Sequence, residues 1–264
     1  MNFINSVLYK LTILFLLLLT SYFLLLHPSC VFAQSLSLSV SPPLIEIMIK
    51  PGKSAVQSFK LKNLGDDSLI NTQIVPFNEK GLILDSLEKT VPWMQIISPE
   101  KPFVLKKDEE KDVLLKINPG TQTKEQDYYQ ALMFKTAPLS DLRNSQSIVQ
   151  QSVSALVITS VTSSGLSKSA AITDFNLPSL IDSFSGININ LKVKNTGNTF
   201  FHTNGNLILK GAIGEIKYPL IPRIFMSGQE KELLIDDKTP NKITGFFLGK
   251  YTLKTDFVLD WMLR

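Results

Sequence analysis

Phe59-Lys60-Leu61-Lys62-Asn63-Leu64-Gly65-Asp66 returns later in the chain as Leu191-Lys192-Val193-Lys194-Asn195-Thr196-Gly197-Asn198. In both strings apolar and lysine positions alternate with period two and then meet Asn-x-Gly, the pattern of a strand with one buried and one wet face that ends in a turn. A second pair of strings follows the first. Lys107-Asp108-Glu109-Glu110-Lys111-Asp112-Val113-Leu114-Leu115 matches Ser227-Gly228-Gln229-Glu230-Lys231-Glu232-Leu233-Leu234-Ile235, and in each a polar turn feeds a buried strand. One building block is used twice, so two successive modules of one kind are expected.

Outward from these strings the chain consists of short apolar segments separated by Pro, Gly, Asn and Asp, without long helical periodicity. The first module is expected to place strands at 36–40, 44–49, 55–62, 69–76, 93–97, 111–117, 128–135 and 149–161, with turns at Pro51-Gly52, Gly65-Asp66-Asp67, Pro99 and Asn118-Pro119-Gly120. Strands spaced this way suit a sandwich of two antiparallel sheets. Residues 81–87 read as a short helical turn, 138–147 as a polar loop and 163–169 as a Ser-rich hinge. Beyond the hinge, strands at 170–176, 187–194, 205–210, 215–218, 231–235 and 249–258 predict a smaller sandwich. Gly249-Lys250-Tyr251 has the spacing of a tyrosine corner, and Tyr129 is a candidate for the same role. Lys60, Lys62, Lys192 and Lys194, with Pro42-Pro43, read as edge protection on a solvated strand face.

The N-terminus carries Lys10, an apolar run from residue 11 to 26, Pro28 and the small-residue pattern Val31-Phe32-Ala33. This is the order of a secretory leader cleaved after Ala33, with an uncleaved anchor as the alternative. The expected organisation is a signal peptide over 1–33, one β-sandwich over 34–165 and a second over 166–264. The fold class is all-β: two consecutive immunoglobulin-like antiparallel β-sandwiches after an apolar leader helix. Cys30 lies in the leader behind a poor lipobox, so the remainder has no thiol chemistry and must be held by apolar burial. Without Lys10 the chain has 26 basic and 23 acidic residues, too weak and even a balance to argue for nucleic acid. No apolar run of membrane length follows Asp256, which fits a released protein, one held by a partner, or a shortened relative of an anchored one.

Catalytic groupings are not expected. His202 is the one histidine outside the leader, sits in the turn-rich Thr199-Phe200-Phe201-His202-Thr203-Asn204-Gly205, and reads as a surface or turn residue. No nucleophile elbow, phosphate loop or dinucleotide fingerprint accompanies it. Asp66-Asp67 and Asp236-Asp237 read as turn formers rather than calcium ligands. Trp93 reads as a core residue rather than a sugar platform, and Trp261 shares its apolar, strand-like context. No catalytic, cofactor-binding or metal residue is therefore assigned, no cofactor is expected, and the chain is read as a non-enzyme.

Leu38-Ser39-Val40-Ser41-Pro42-Pro43-Leu44-Ile45-Glu46, Lys50-Pro51-Gly52-Lys53, Phe59-Lys60-Leu61-Lys62-Asn63 and Pro92-Trp93 resemble the first domain of bacterial cell-surface proteins of the WxL-interacting type. Leu191-Lys192-Val193-Lys194-Asn195-Thr196-Gly197-Asn198 and Gly249-Lys250-Tyr251 resemble the Ig-like domain that follows it there. The resemblance implies a surface-exposed pair of Ig-like domains, the first touching peptidoglycan and the second a protein partner. Such proteins usually end in a membrane helix and basic tail, which this sequence does not show.

The expectation is an exported, non-enzymatic bacterial cell-surface binding or adhesion protein. It would be secreted or surface-associated, recognise peptidoglycan or a surface protein, and meet the membrane only through an uncleaved leader. The alternative is a periplasmic pilus-type chaperone that lends an alternating apolar strand, with Val153, Ala155 and Val157 as its side chains. A basic pair to clamp a client carboxylate is missing from that reading.

Overall fold

The two repeated strings form the central strands of two separate sheets, and each alternates as its sequence requires. Phe59, Leu61 and Asn63 point inward in one, Leu191, Val193 and Asn195 in the other, and the lysines between them lie on the outer face. The computed structural model describes residues 13–17, 19–21, 37–78, 80–84, 90–99, 102–138, 151–212, 214–236 and 241–261. Residues 13–17 and 19–21 are helical, and no helix among the described residues is long and apolar enough to cross a membrane.

The first half contains β1 (Leu38–Ser41), β2 (Leu44–Ile49), β3 (Ala55–Asn63), β4 (Ser68–Pro76), β5 (Met94–Ser98), β6 (Phe103–Leu105), β7 (Glu110–Ile117), β8 (Gln126–Pro138) and β9 (Ser152–Val161). One sheet has the order β1-β3-β7-β5 and the other β2-β9-β8-β4-β6. Pro42-Pro43 stands where the chain leaves the first sheet after β1 and enters the second as β2, whose pairing with β9 is parallel. Between the sheets lies a core that includes the fully buried Phe59, Leu61, Ile70, Leu105, Ile117 and Phe134. Burial of each such side chain contributes about 1.5–3 kcal/mol. Trp93 packs against this core, edge-on to Tyr128 at 5.0 Å.

The second half contains β10 (Ala170–Asn176), β11 (Ile187–Asn188), β12 (Asn190–Asn195), β13 (Phe201–Gly211), β14 (Gly214–Pro219), β15 (Arg223–Phe225), β16 (Glu230–Glu232), β17 (Lys242–Ile243) and β18 (Thr252–Asp260). Its sheets are β10-β12-β16, the short β11-β17 ladder, and β14-β13-β15 with β18 on the other side of β13. Leu191, Val193, Phe201, Leu207, Phe225 and Leu233 are in the core between them. The molecule is thus all-β, two consecutive Ig-like sandwiches.

The repeat extends to individual hydrogen bonds. Asn63 Nδ2 donates to the carbonyls of Asp66 and Leu105, and its Oδ1 accepts from Gly65 N. Asn195 Nδ2 donates to Thr199 and Phe225, and its Oδ1 accepts from Gly197 N. Lys106 N donates to the Glu109 carboxylate where Met226 N donates to the Gln229 amide oxygen. Each asparagine therefore closes its own turn and ties it to the neighbouring strand.

Several expectations are corrected. The lysines of the repeat do not guard edges, because β3 and β12 are interior strands; Lys60 and Lys62 instead pair with Glu110 across the outer face at 3.3 and 3.1 Å, and these contacts hold its exposed carboxyl below the usual range. The second sandwich is not poorer in strands, since β15 and β17 escaped a reading by periodicity, as did β6 in the first, and the strand expected at 187–194 is divided into β11 and β12. The helical turn expected at 81–87 is partly a bridge, Ile83 opposite Phe77, and residues 85–87 lie outside the described residues, as do 139–147 of the polar loop. The Tyr251 corner forms as read, with Leu248 N donating to its hydroxyl at 3.2 Å. Tyr129 does something else.

Candidate functional site

The outer face of the β2-β9-β8-β4-β6 sheet meets the start of β13, and this meeting concentrates the polar groups of the molecule. Asp127, buried at the head of β8, accepts four hydrogen bonds. Its Oδ1 takes Ser160 Oγ at 2.5 Å and Thr199 Oγ1 at 3.0 Å; its Oδ2 takes Phe200 N at 2.6 Å and the Tyr129 hydroxyl at 3.0 Å. Two of these donors come from the second sandwich. The same Tyr129 hydroxyl accepts from Ser227 N at 3.1 Å, so the phenol bridges the sandwiches and is no corner. Burial, aided by the Asp127 carboxylate, pushes its ionisation far above the ordinary phenol range, which keeps the bridging proton in place.

His202 belongs to the same joint. It is 5% exposed rather than a surface or turn residue, and its Nε2 lies 2.7 Å from Glu46 Oε1 of β2. Thr203, Asn204 and Gly205, which made its surroundings read as a turn, are interior positions of β13. Gly205 is required there by contact: a Cβ would sit 2.1 Å from the Asp256 carbonyl of β18. Around these polar links an apolar cluster closes the joint, with Val75, Phe77, Ala131 and Ile158 from the first sandwich against Phe200 and Met226 from the second. Trp261 stands edge-on to Phe200 at 5.8 Å, and Lys168 of the hinge lies 4.8 Å over the Trp261 ring. The Glu125 carboxylate holds Thr162 and Ser163 at the start of the hinge, and Asn198 Oδ1 holds Ser167 at its end. Asp127 and Glu46 went unnoticed, and Tyr129 was read only as a corner, because their partners across the joint lie 72 to 156 residues away in sequence.

In the joint His202 is engaged with the Glu46 carboxylate and Asp127 with four donors, the Ser160 and Thr199 hydroxyls among them. Among the described residues no three His, Cys, Asp or Glu side chains gather where they could hold a metal ion. Asp66 and Asp67 lie in a turn, the first through its carbonyl and the second through its carboxylate to Lys107 N. Asp236 is exposed, and Asp237 lies outside the described residues.

A second feature adjoins the joint. β2 pairs with β9 only from Leu156 onward, while β9 begins at Ser152. Leu156 N donates toward β2, to Pro43 O, whereas Gln151 O faces β8. Alternation along the strand then directs the backbone groups of Ser152 and Ser154 to the side β2 has left, an open edge among the described residues. Val153, Ala155 and Val157, expected to be lent to a client, point the other way. Ala155 and Val157 are buried in the core of their own sandwich, with Val153 packed against it, because β9 is an integral strand of that sheet. The opposite face carries Ser154 and Leu156, and half-buried Leu44, Leu156 and Met133 continue the apolar cluster of the joint.

No protein-family model and no curated protein matches the chain. Solved structures do. The class 5 fimbriae chaperone CfaA is 12% identical, with 86% of this chain and all of that chain covered at a TM-score of 0.44. The E. coli chaperone DraB is 13% identical, with 86% and 99% covered and a TM-score of 0.42. The PapD-like domain 7 of human CEP192 is 15% identical over 53% of this chain and 95% of its own, at 0.37. At these identities the likeness is one of fold. The expected wall-binding or adhesion function is corrected by what these structures are named: of those that cover more than four fifths of this chain, CfaA, DraB and CupB2 are named as chaperones and others as complexes of a chaperone with a pilin or tip subunit.

Proposed function

We propose that this chain is a non-enzymatic, extracytoplasmic assembly chaperone that holds a protein client by strand pairing, the reading first set beside surface adhesion as its alternative. The observation that carries it is the open edge of β9. Among the described residues no strand ladder covers the Ser152 and Ser154 side of β9, which lies beside an apolar face, and an extended client segment adds to such an edge through main-chain hydrogen bonds, with alternate side chains giving selectivity. The role differs from the expected one in a physical detail: the apolar side chains of β9 stay in their own core, so the chain supplies backbone and the Leu44, Leu156, Met133 face rather than Val153, Ala155 and Val157. The joint supports the reading because a strand pairing beside it needs both sandwiches held in one arrangement.

Ser154→Pro tests this. It removes only a backbone N–H that faces the open side, where proline is tolerated. Tagged wild-type protein recovered from the envelope of its own cells is expected to carry a defined exported subunit, identified by mass spectrometry, and Ser154→Pro is expected to lose it while its unfolding midpoint stays unchanged. Recovery of the same subunit with Ser154→Pro, or of peptidoglycan fragments alone, would overturn the proposal.

A further inference from the structure

The second sandwich is not closed at the end away from its hinge. β10 stops at Asn176, and β11 and β17 are two residues each, so beyond them inward-facing Leu209 of β13 and Leu253 of β18 are roofed by loops 177–186 and 244–251 instead of strands. The loops are stitched together by Phe247 N donating to Ser183 O at 2.9 Å. Between them and the sheet remains a cavity of about 420 Å³, lined by Leu177, Ile181, Ile187, Leu209, Phe247 and Leu253. This lies within the size range of small-molecule sites, and beside these apolar side chains Ser179, Ser183, Lys250 and Tyr251 also line it.

The mouth has its own character. Leu180, which lines the cavity, is 90% exposed, and on the two roofing loops Phe184, 82% exposed, leans its ring on Phe246 at 5.1 Å. Lys250 lines the cavity and has no carboxylate partner among the described residues. Asp182 stands on the opposite loop, where its carboxylate is occupied by Phe184 N at 2.8 Å. An apolar interior with one cation at the mouth is complementary to a molecule that has a long apolar chain and an anionic head.

We infer that this open end is a binding site for an anionic amphiphile, its chain lying among Leu177, Ile181, Leu209 and Leu253 and its head meeting Lys250. Such chemistry comes from a free fatty acid or from an anionic membrane lipid. The inference is independent of the strand edge in the other sandwich.

Calorimetric titration of the full chain with dodecanoate tests it. Saturable binding of one molecule is expected. Lys250→Glu is expected to weaken it roughly tenfold by reversing the charge at the mouth, and Leu177→Trp to reduce it strongly by filling the cavity. Both positions are partly or fully exposed, so an unchanged unfolding midpoint confirms that each variant folds. Absence of saturable binding to the wild type, or equal binding by both variants, would overturn the inference. Co-sedimentation with phosphatidylglycerol and phosphatidylcholine vesicles separates the sources. Pelleting with the anionic vesicles that is lost in Phe184→Ser supports a membrane lipid, and dodecanoate binding without pelleting supports a free amphiphile.

Discussion

Asn63 and Asn195 end equivalent strands with the same three hydrogen bonds, yet their turns meet different surroundings. After Asn63 the chain reads Leu-Gly-Asp-Asp, and Leu64 is 45% exposed. After Asn195 it reads Thr-Gly-Asn-Thr-Phe-Phe, and Thr199 and Phe200 are buried against the first sandwich. The comparison separates two kinds of information. What the copies share, an inward asparagine and an alternating strand, builds a sandwich. Where they differ, Thr199 in place of Asp67 and Phe200 in place of Ser68, one turn becomes a docking surface for Asp127 and the Val75, Phe77 and Ala131 patch.

The largest expected effect breaks the docked copy. Asp127→Ala leaves Phe200 N and the Thr199 and Ser160 hydroxyls without their buried acceptor, and each orphaned donor costs about 1–3 kcal/mol. A loss of at least about 3 kcal/mol is expected in urea unfolding. A loss below about 1 kcal/mol would mean that water replaces the contact and the joint is not what orders the two halves.

The intermediate effect measures what the copies share. Asn63→Ala and Asn195→Ala each remove three hydrogen bonds from a site that is 1% exposed, and each is expected to cost about 2–3 kcal/mol. Near-equal losses would show that the asparagine serves its own sandwich. If Asn195→Ala proved the costlier by more than about 1 kcal/mol, the docked turn would depend on it as well.

The smallest effect comes from a difference inside the repeat. Asp108 and Gly228 occupy matching turns, both left-handed, with φ of 60° and 79°. Aspartate tolerates that conformation better than most residues, and a Cβ at Gly228 meets nothing within 4 Å. Gly228→Asp is therefore expected to cost no more than about 1 kcal/mol, and Asp108→Gly to shift stability by about 0.5 kcal/mol in thermal unfolding. A larger penalty for Gly228→Asp would show that the turns are not equivalent.

The strands that could be read in advance are those long enough to show a period. β2 and β10 fall within the expected bounds, and β3, β4 and β7 within a residue of them. β6, β15 and β17 are two or three residues each, too short for alternation to register; β6 and β15 exist because a longer neighbour offers them a ladder, and β17 pairs with the equally short β11. His202 was misplaced for a related reason. Threonine, asparagine and glycine usually signal a turn, but here Gly205 admits the backbone of β18, and β13 runs straight through. The candidate site was less legible still. The alternation of Val153, Ala155 and Val157 marked a strand correctly, while its apolar side chains proved to serve the core of the chain itself.

The amino-acid order alone determined that there are two modules, that both are built from strands, and that an Asn-x-Gly turn closes the same strand in each. These are local matters, since a period of two and a turn residue act over neighbours a few positions apart. Which face of β9 is free, where β2 stops covering it, and how Asp127 reaches Thr199 and His202 reaches Glu46 were decided only by the tertiary structure. An alternating strand has two faces and two edges, and only the packing of distant strands against it determines which of them remain open.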